Sequence, residues 1–347
     1  MFVLRPSSFV AFLMTIDSQI FTDVDYDKNG KQYGALGVPQ SFNTSGWATV
    51  YVPICVIKNG DGPTALLSGG NHGDEYEGQV ALMNLAREIQ PEQVHVRIIM
   101  LPMLNRPASE SGTRLSPIDG KNMNRAFPGQ RNDTITSIIA HYVAHALLPM
   151  ADVVVDVHSG GRTGHFYPSV NMHHLPNHEQ MKKMIDTAMA WGAPYVFIYR
   201  DVGGEGLYPS YAESLGKVTL GTEIGSAAQF GKAMVHLTTR GLRNVLRYTN
   251  ILDGEIEPGE TTPQVVAAEE REDYIMAPVS GVFEPFFELL DKVSAAQVIG
   301  QIHSHELPFN EPHPVYARTS GMMMSRCSFP LRRQGEYLAT VVRPFSL

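Results

Sequence analysis

Two patterns of apolar residues alternate along most of the chain. TVYVPICVIKN (49–59), TALLSGG (64–70), VRIIMLPML (96–104), ADVVVDVHSGG (151–161) and KVTLGTEIGS (217–226) are short apolar runs stopped by glycine, proline or polar residues. Runs of that kind predict strands. Between them, EGQVALMNLAREI (77–89), TITSIIAHYVAHALLPM (134–150), HEQMKKMIDTAMAWG (178–192) and MVHLTTRGLRNVLRYTNIL (234–252) carry apolar residues at helical spacing. Asp133 or Thr134 is suited to cap the second of these helices, and Gly192 to end the third. Strands alternating with helices predict an α/β fold, with a mostly parallel or mixed sheet flanked by helices.

The pattern changes after residue 252. DGEIEPGETTPQ (253–264) is rich in glycine, proline and acids, has no periodicity, and reads as a linker. Beyond it come short strands broken by turns: DYIMAPVSGVFEPFF, DKVSAAQVIGQIHS, PHPVYARTSGMMM and EYLATVV. These predict a small all-β domain. The stretch from APVSGVFEP to DKVSAAQVIGQI resembles the biotinyl/lipoyl barrel-sandwich fold but lacks that family's modified-lysine setting. A shared shape is therefore expected, and not a carrier role. The expected division is an α/β domain over 1–255, which includes an N-terminal extension, and a β domain over 256–347.

Composition narrows the classes of function. Hydrophobic residues make up 43% and charged residues 18%, as in an ordinary globular protein. The formal charge of -8, without a basic run interleaved with aromatics, argues against a nucleic-acid partner and fits small-molecule chemistry. Cys55 and Cys327 lie far apart, which excludes a disulfide framework or a cysteine zinc motif and makes the cytoplasm the expected compartment. MFVLRPSSFVAFLMT lacks the long apolar core and cleavage site of a secretory signal, so it reads as an extension or an early start site. No run approaches the ~20 apolar residues of a membrane span, so no membrane partner is expected. The residues leave homo-oligomerisation open.

Candidate chemistry gathers at the ends of three predicted strands. His72 follows TALLSGG, and Glu75 comes three residues later. His158 ends VVVDVH, and Glu223 ends KVTLGTE. Ligands of open α/β sheets bind outside the carboxyl ends of the strands, so these side chains are directed to one edge. Two imidazoles and a carboxylate with an open fourth position describe a catalytic zinc site. The second carboxylate, Glu223, is suited to act as general base and then general acid. Asp156, two residues before His158, can accept the second ring N–H of a ligand histidine. Other histidines look metal-like but are expected to be surface residues: His173, His174, His178, and His303 with His305 and Glu306. The irregular stretch GTRLSPIDGKNMNRAFPG (112–129) carries Arg114, Asn124 and Arg125, and a long loop inside a compact domain is usually functional. Arginine offers a fork for a carboxylate or a fixed charge for an oxyanion.

GGNHGDEYEGQ, NMNRAFPG, DVHSGG and TEIG, in this order over roughly residues 45–250, resemble the succinylglutamate desuccinylase/aspartoacylase group of zinc carboxypeptidase-like amidohydrolases. The resemblance implies one Zn2+ per chain on His72, Glu75 and His158, with Glu223 as the catalytic acid and base. It further implies that Asn124 and Arg125 grip a substrate carboxylate and that Arg114 polarises the scissile carbonyl. Aspartoacylases carry aspartate–leucine where this chain has Asn122–Met123, which points away from an aspartate substrate. Three stretches are most similar to the deacetylases that act on N-acetyl-L-2,4-diaminobutanoate in ectoine breakdown: VKNGDGPTALLSGGNHGDEYEGQ, GTRLSPIDGKNMNRAFPG and LPMADVVVDVHSGGRT. A substrate with a side-chain ammonium would need an acidic partner, for which Glu77, Asp201, Glu205 and Glu213 are candidates. Deacylation of another N-acyl amino acid, and a non-catalytic binding relative, are the alternatives.

Overall fold

The computed structural model describes residues 18–200, 206–225 and 230–347. In chain order the strands of the first two-thirds are β1 (Phe21–Thr22), β2 (Gly30–Phe42), β3 (Ser45–Lys58), β4 (Thr64–Gly69), β5 (Arg97–Leu101), β6 (Val153–Val157), β7 (Gly164–Phe166), β8 (Ser169–His173), β9 (Tyr195–Tyr199) and β10 (Val218–Glu223). The helices are α1 (Tyr76–Glu88), α2 (Arg106–Ser111), α3 (Ile135–Tyr142), α4 (His178–Trp191), α5 (Tyr208–Ser214) and α6 (Lys232–Tyr248). The tail adds β11 (Gln264–Ala268), β12 (Tyr274–Met276), β13 (Gly281–Pro285), β14 (Lys292–Val293), β15 (Val298–His303), β16 (His313–Tyr316), β17 (Gly321–Cys327), β18 (Leu331–Arg332) and β19 (Tyr337–Pro344).

One sheet runs through the molecule in the order β1-β2-β3-β5-β4-β6-β10-β8-β9-β11-β19-β17-β14. Its centre, β5-β4-β6-β10, is parallel, while β3 and β8 flank that centre antiparallel. The sheet is therefore mixed around a parallel middle. Both of its faces are covered, which explains why the central strands read as unbroken apolar runs. Ala65, Leu67, Ile98, Met100, Val153 and Val155 face a core that includes Leu82, Trp191 and Leu242 from α1, α4 and α6. Their neighbours Leu66, Ile99 and Val154 face the other core, with Leu36, Val52 and Ile139. Successive residues alternate between the faces, as the pleat requires. Asn177 caps α4 by accepting from the N–H groups of Glu179 and Gln180, and Gly192 closes the helix at φ +78°. Thr134 is the residue before α3, but its side chain makes no capping bond.

The tail continues the same sheet. β11 adds parallel to β9, and β19 pairs antiparallel with β11. A second sheet, β16-β15-β13-β18, closes over a core that includes Ile275, Phe283, Ile302, Leu338 and Val341. β17 also pairs with β7, so the segment just after His158 is tied to the tail. Among the described residues, no helix is long and apolar enough to cross a membrane.

Candidate metal centre

Register explains why distant residues meet. Gly69 on β4 stands opposite Val157 on β6, and Gly221 on β10 opposite Asp156. His158 and Glu223 each come two residues after a paired position, so they lie side by side on adjacent strands. The Ile224 N–H donates to the His158 carbonyl at 3.1 Å and continues that pairing. His72 follows β4 by three residues, and Glu75 sits just before α1 in extended conformation (φ -111°, ψ 98°). The Glu75 side chain makes no capping bond to the helix, because its oxygens are engaged elsewhere.

Glu75 bridges the two imidazoles. Its Oε1 lies 2.8 Å from His72 Nδ1, and its Oε2 lies 2.8 Å from His158 Nδ1. Oε2 also accepts the Ser159 N–H at 3.2 Å. The opposite ring nitrogens are held from behind. His158 Nε2 contacts Asp156 Oδ2 at 2.8 Å, and Asp156 in turn accepts from Ser68 Oγ at 2.7 Å and Asn71 Nδ2 at 2.8 Å. His72 Nε2 meets Asn122 Oδ1 at 3.1 Å, and the same oxygen accepts the Asn124 N–H at 2.9 Å. Both partners accept only, so each Nε2 carries its proton and each Nδ1 turns inward. The three residues are buried, and their ligand atoms lie within 4.8 Å of one another. Two inward-facing imidazole nitrogens and one carboxylate fit a divalent ion of the zinc type, with Asp156 and Asn122 already accepting from the far side of each ring.

Charge in the metal-free arrangement agrees with that fit. Burial opposes ionisation of Glu75, yet the His72 and His158 rings hold its carboxyl below the usual range. Burial likewise opposes a charge on His158, but Asp156 and then Glu75 hold its imidazole well above its ordinary range. A bound proton there takes the place of a cation. Burial pushes His72 down despite Glu75, and Arg114 adds to that push.

Glu223 is half-buried as a residue, but its Oε2 is shielded from solvent and has no hydrogen-bond partner among the described residues. Burial, then the charge of Glu75, pushes its carboxyl from 4.5 up to about 8. In the metal-free fold Glu223 keeps its proton while the unfolded chain releases it, so stability falls as pH rises from 4.5 to about 8. Metal-free Glu223→Gln is expected to lose less stability than the parent between pH 5 and pH 8 in urea unfolding. Equal losses would contradict the shift.

The remaining predicted site residues divide. Arg114 Nη1 reaches the centre, 3.2 Å from His72 Nδ1 and 3.4 Å from Glu75 Oε1. Asn124 is buried in a short 3-10 turn, Met123–Arg125, and its Oδ1 accepts the Tyr208 N–H at 2.9 Å. Arg125 is exposed, and its Nη1 donates to the Asn124 carbonyl at 2.7 Å. Glu77 is buried two residues from Glu75, and burial raises its carboxyl. Glu213 is engaged elsewhere, 2.6 Å from His173 Nδ1. Asp201 and Glu205 lie outside the described residues. The metal-like histidines stand apart from the centre: His173, expected at the surface, is instead buried on β8 against Glu213, His174 pairs with Glu269, His303 with Glu284 at 2.8 Å, and His178 and His305 are exposed.

The sequence pattern gives no sign of the part that one residue plays. Asn122 orients His72. Tyr337, on β19, bonds Ser325 Oγ at 2.5 Å and Thr340 Oγ1 at 2.9 Å. Burial raises its phenol, against the lowering effect of the bonds to Ser325 and Thr340.

The bend itself depends on glycine. A Cβ on Gly73 would lie 1.9 Å from the carbonyl carbon of Ala108, so the His72–Glu75 turn fits only without one. Gly73→Ala is expected to cost about 1–3 kcal/mol in urea unfolding. An unchanged midpoint would show that α2 yields instead.

Residues 61–249 match the model of the succinylglutamate desuccinylase/aspartoacylase catalytic domain. The chain is 36% identical over 325 residues to the N-alpha-acetyl-L-2,4-diaminobutyric acid deacetylase of Halomonas elongata, a match covering 93% of this chain and 95% of that protein. The crystal structure of a succinylglutamate desuccinylase/aspartoacylase from Rhodobacter sphaeroides superposes with a TM-score of 0.90 at 38% identity, over 95% of this chain and 100% of that one. The product-bound ectoine utilization protein EutE (DoeB) from Ruegeria pomeroyi gives 0.89 at 36%, over 94% and 99%. A catalytic-domain match over more than half the chain, with relatives that align end to end, shows that the chain belongs to the succinylglutamate desuccinylase/aspartoacylase family.

Proposed function

We propose that the chain is a zinc-dependent amidohydrolase. It removes the acetyl group from N2-acetyl-L-2,4-diaminobutanoate, giving L-2,4-diaminobutanoate and acetate, in the cytoplasmic breakdown of ectoine. The observation that carries the reading is the inward convergence of His72 Nδ1, His158 Nδ1 and the Glu75 carboxylate beside the unpartnered Oε2 of Glu223. The 36% identity to the Halomonas elongata deacetylase supports the choice of substrate.

His72, Glu75 and His158 would hold the ion. When bound, zinc supplies an acidified water and a Lewis acid for the amide carbonyl. Glu223 would take a proton from the attacking water and return it to the leaving α-nitrogen. Arg114 offers its guanidinium to the oxygen on which negative charge develops. Arg125 grips the substrate carboxylate with its planar fork. Asn124, whose carbonyl already serves Tyr208, contributes its NH2 group. Residues 1–255 form the catalytic domain in this reading, and residues 256–347 the β domain.

Arg125→Ala is expected to raise KM for substrates with a free carboxylate by ~10–100-fold, the scale of one lost charge-assisted contact, with kcat little changed. An unchanged KM would remove Arg125 from that role. The substrate itself is tested by acetate release from N2-acetyl-2,4-diaminobutanoate, with N-acetylaspartate and N-succinylglutamate as controls. Preference for either control would assign the chain to another deacylase of the family. Turnover of none, together with no bound zinc, would make it a non-catalytic relative.

A further inference from the structure

A cavity of about 250 Å3 is lined by residues that flank the ligands Glu75 and His158 in sequence. Asp74, Glu77 and Ser159 wall it, and Tyr76, Phe230 and the exposed Arg162 rim it. Asp74 is 7% exposed and Glu77 2%. Asp74 Oδ2 accepts the Arg162 N–H at 3.0 Å, whereas Oδ1 is buried with no hydrogen-bond partner among the described residues. The Tyr76 and Phe230 rings meet edge to face, centroids 6.3 Å apart. A buried carboxylate oxygen without a donor is costly unless a ligand supplies one. Two acids and two aromatic rings suit an ammonium on a short alkyl chain, through charge-assisted hydrogen bonds and cation–π attraction.

We propose that this cavity receives the side-chain ammonium of a diamino acid substrate, with Asp74 and Glu77 as its carboxylate partners. The inference rests on the diaminobutanoate reading above and names the residues that select that substrate. The reach is right. Three carbons separate the two nitrogens of 2,4-diaminobutanoate, so the ammonium stays within ~5 Å of the leaving nitrogen. Asp74 and the ligand Glu75 both stand against Gly161, where a Cβ would lie 3.0 Å from Asp74 Oδ2 and 3.1 Å from Glu75 Cγ. Arg162 is exposed at the rim, whereas the buried charged residues of the wall, Asp74 and Glu77, are both acids. A substrate with a plain alkyl side chain would leave Asp74 Oδ1 without a donor and be disfavoured.

The test compares kcat/KM for N2-acetyl-2,4-diaminobutanoate and N-acetyl-2-aminobutanoate, which shares the carbon chain but lacks the amine. The parent should prefer the diamino substrate. Asp74→Asn should cut that preference ~10–100-fold, chiefly through KM, with zinc content unchanged. An unchanged preference overturns the proposal. Should Asp74→Asn fail to fold, Glu77→Gln carries the same comparison. Calorimetry on the parent needs no variant: 2,4-diaminobutanoate should bind more tightly than 2-aminobutanoate, and equal affinities overturn the proposal. A parent that cleaves other N-acyl amino acids but not the diamino substrate overturns the functional reading itself, and this subsite with it.

Discussion

Replacing Glu223 with glutamine is expected to lower kcat by about 10²–10⁴-fold while metal stays bound at one ion per chain. Glutamine keeps the shape of the side chain and removes its capacity to take a proton. Glu223 is not one of the three converging ligands, so metal retention separates its role from theirs. The pH profile adds a second readout. Burial and Glu75 push the metal-free carboxyl to about 8. A divalent cation on Glu75 cancels part of that push, so the acid limb of the kcat profile is expected below about 8, with activity lost as pH falls through it. Glu223→Gln should lose that limb. Parental turnover in the variant would remove Glu223 from the chemistry.

His158→Ala is expected to leave the protein without stoichiometric metal and to abolish turnover, with no recovery in excess zinc. The structural cost should also be large. In the metal-free fold the His158 ring is the charged partner of both Glu75 and Asp156, each bonded at 2.8 Å. Removing it leaves two buried carboxylates without their cation, a loss of about 3–5 kcal/mol in the metal-free protein. Asp156→Asn is a milder probe of the same unit, and metal affinity should fall about 10–100-fold as the ring loses its orienting acceptor. Elemental analysis and urea unfolding of the metal-free proteins check both. A His158→Ala protein that keeps one zinc and full stability would contradict the ligand set.

The central strands and the metal cluster were legible because they depend on local pattern. β4 and β6 are buried on both faces and read as apolar runs, and the polar residues just beyond them lie at the carboxyl edge, where ligands bind. β2 was not legible. It carries Gly34, Gly37 and Pro39, is half exposed, and takes its form from a long antiparallel pairing with β3. β8 and β9 were passed over because SVNMH and YVFIY are short and lie among loop-type residues, and pairing in the middle of the sheet makes them strands. Asn122 looked like a departure from a family motif, and only the fold reveals its bond to His72. Asp74 sat inside the motif yet drew no attention, because an acid beside a ligand reads as solvated until its burial is known.

The most direct test of the ligand set is an anomalous difference map at the zinc edge from zinc-loaded crystals. One peak per chain should lie ~2.0–2.2 Å from His72 Nδ1, His158 Nδ1 and a Glu75 oxygen, with Glu223 close by but uncoordinated. A peak on other residues, or none with the two imidazoles turned apart, would contradict it.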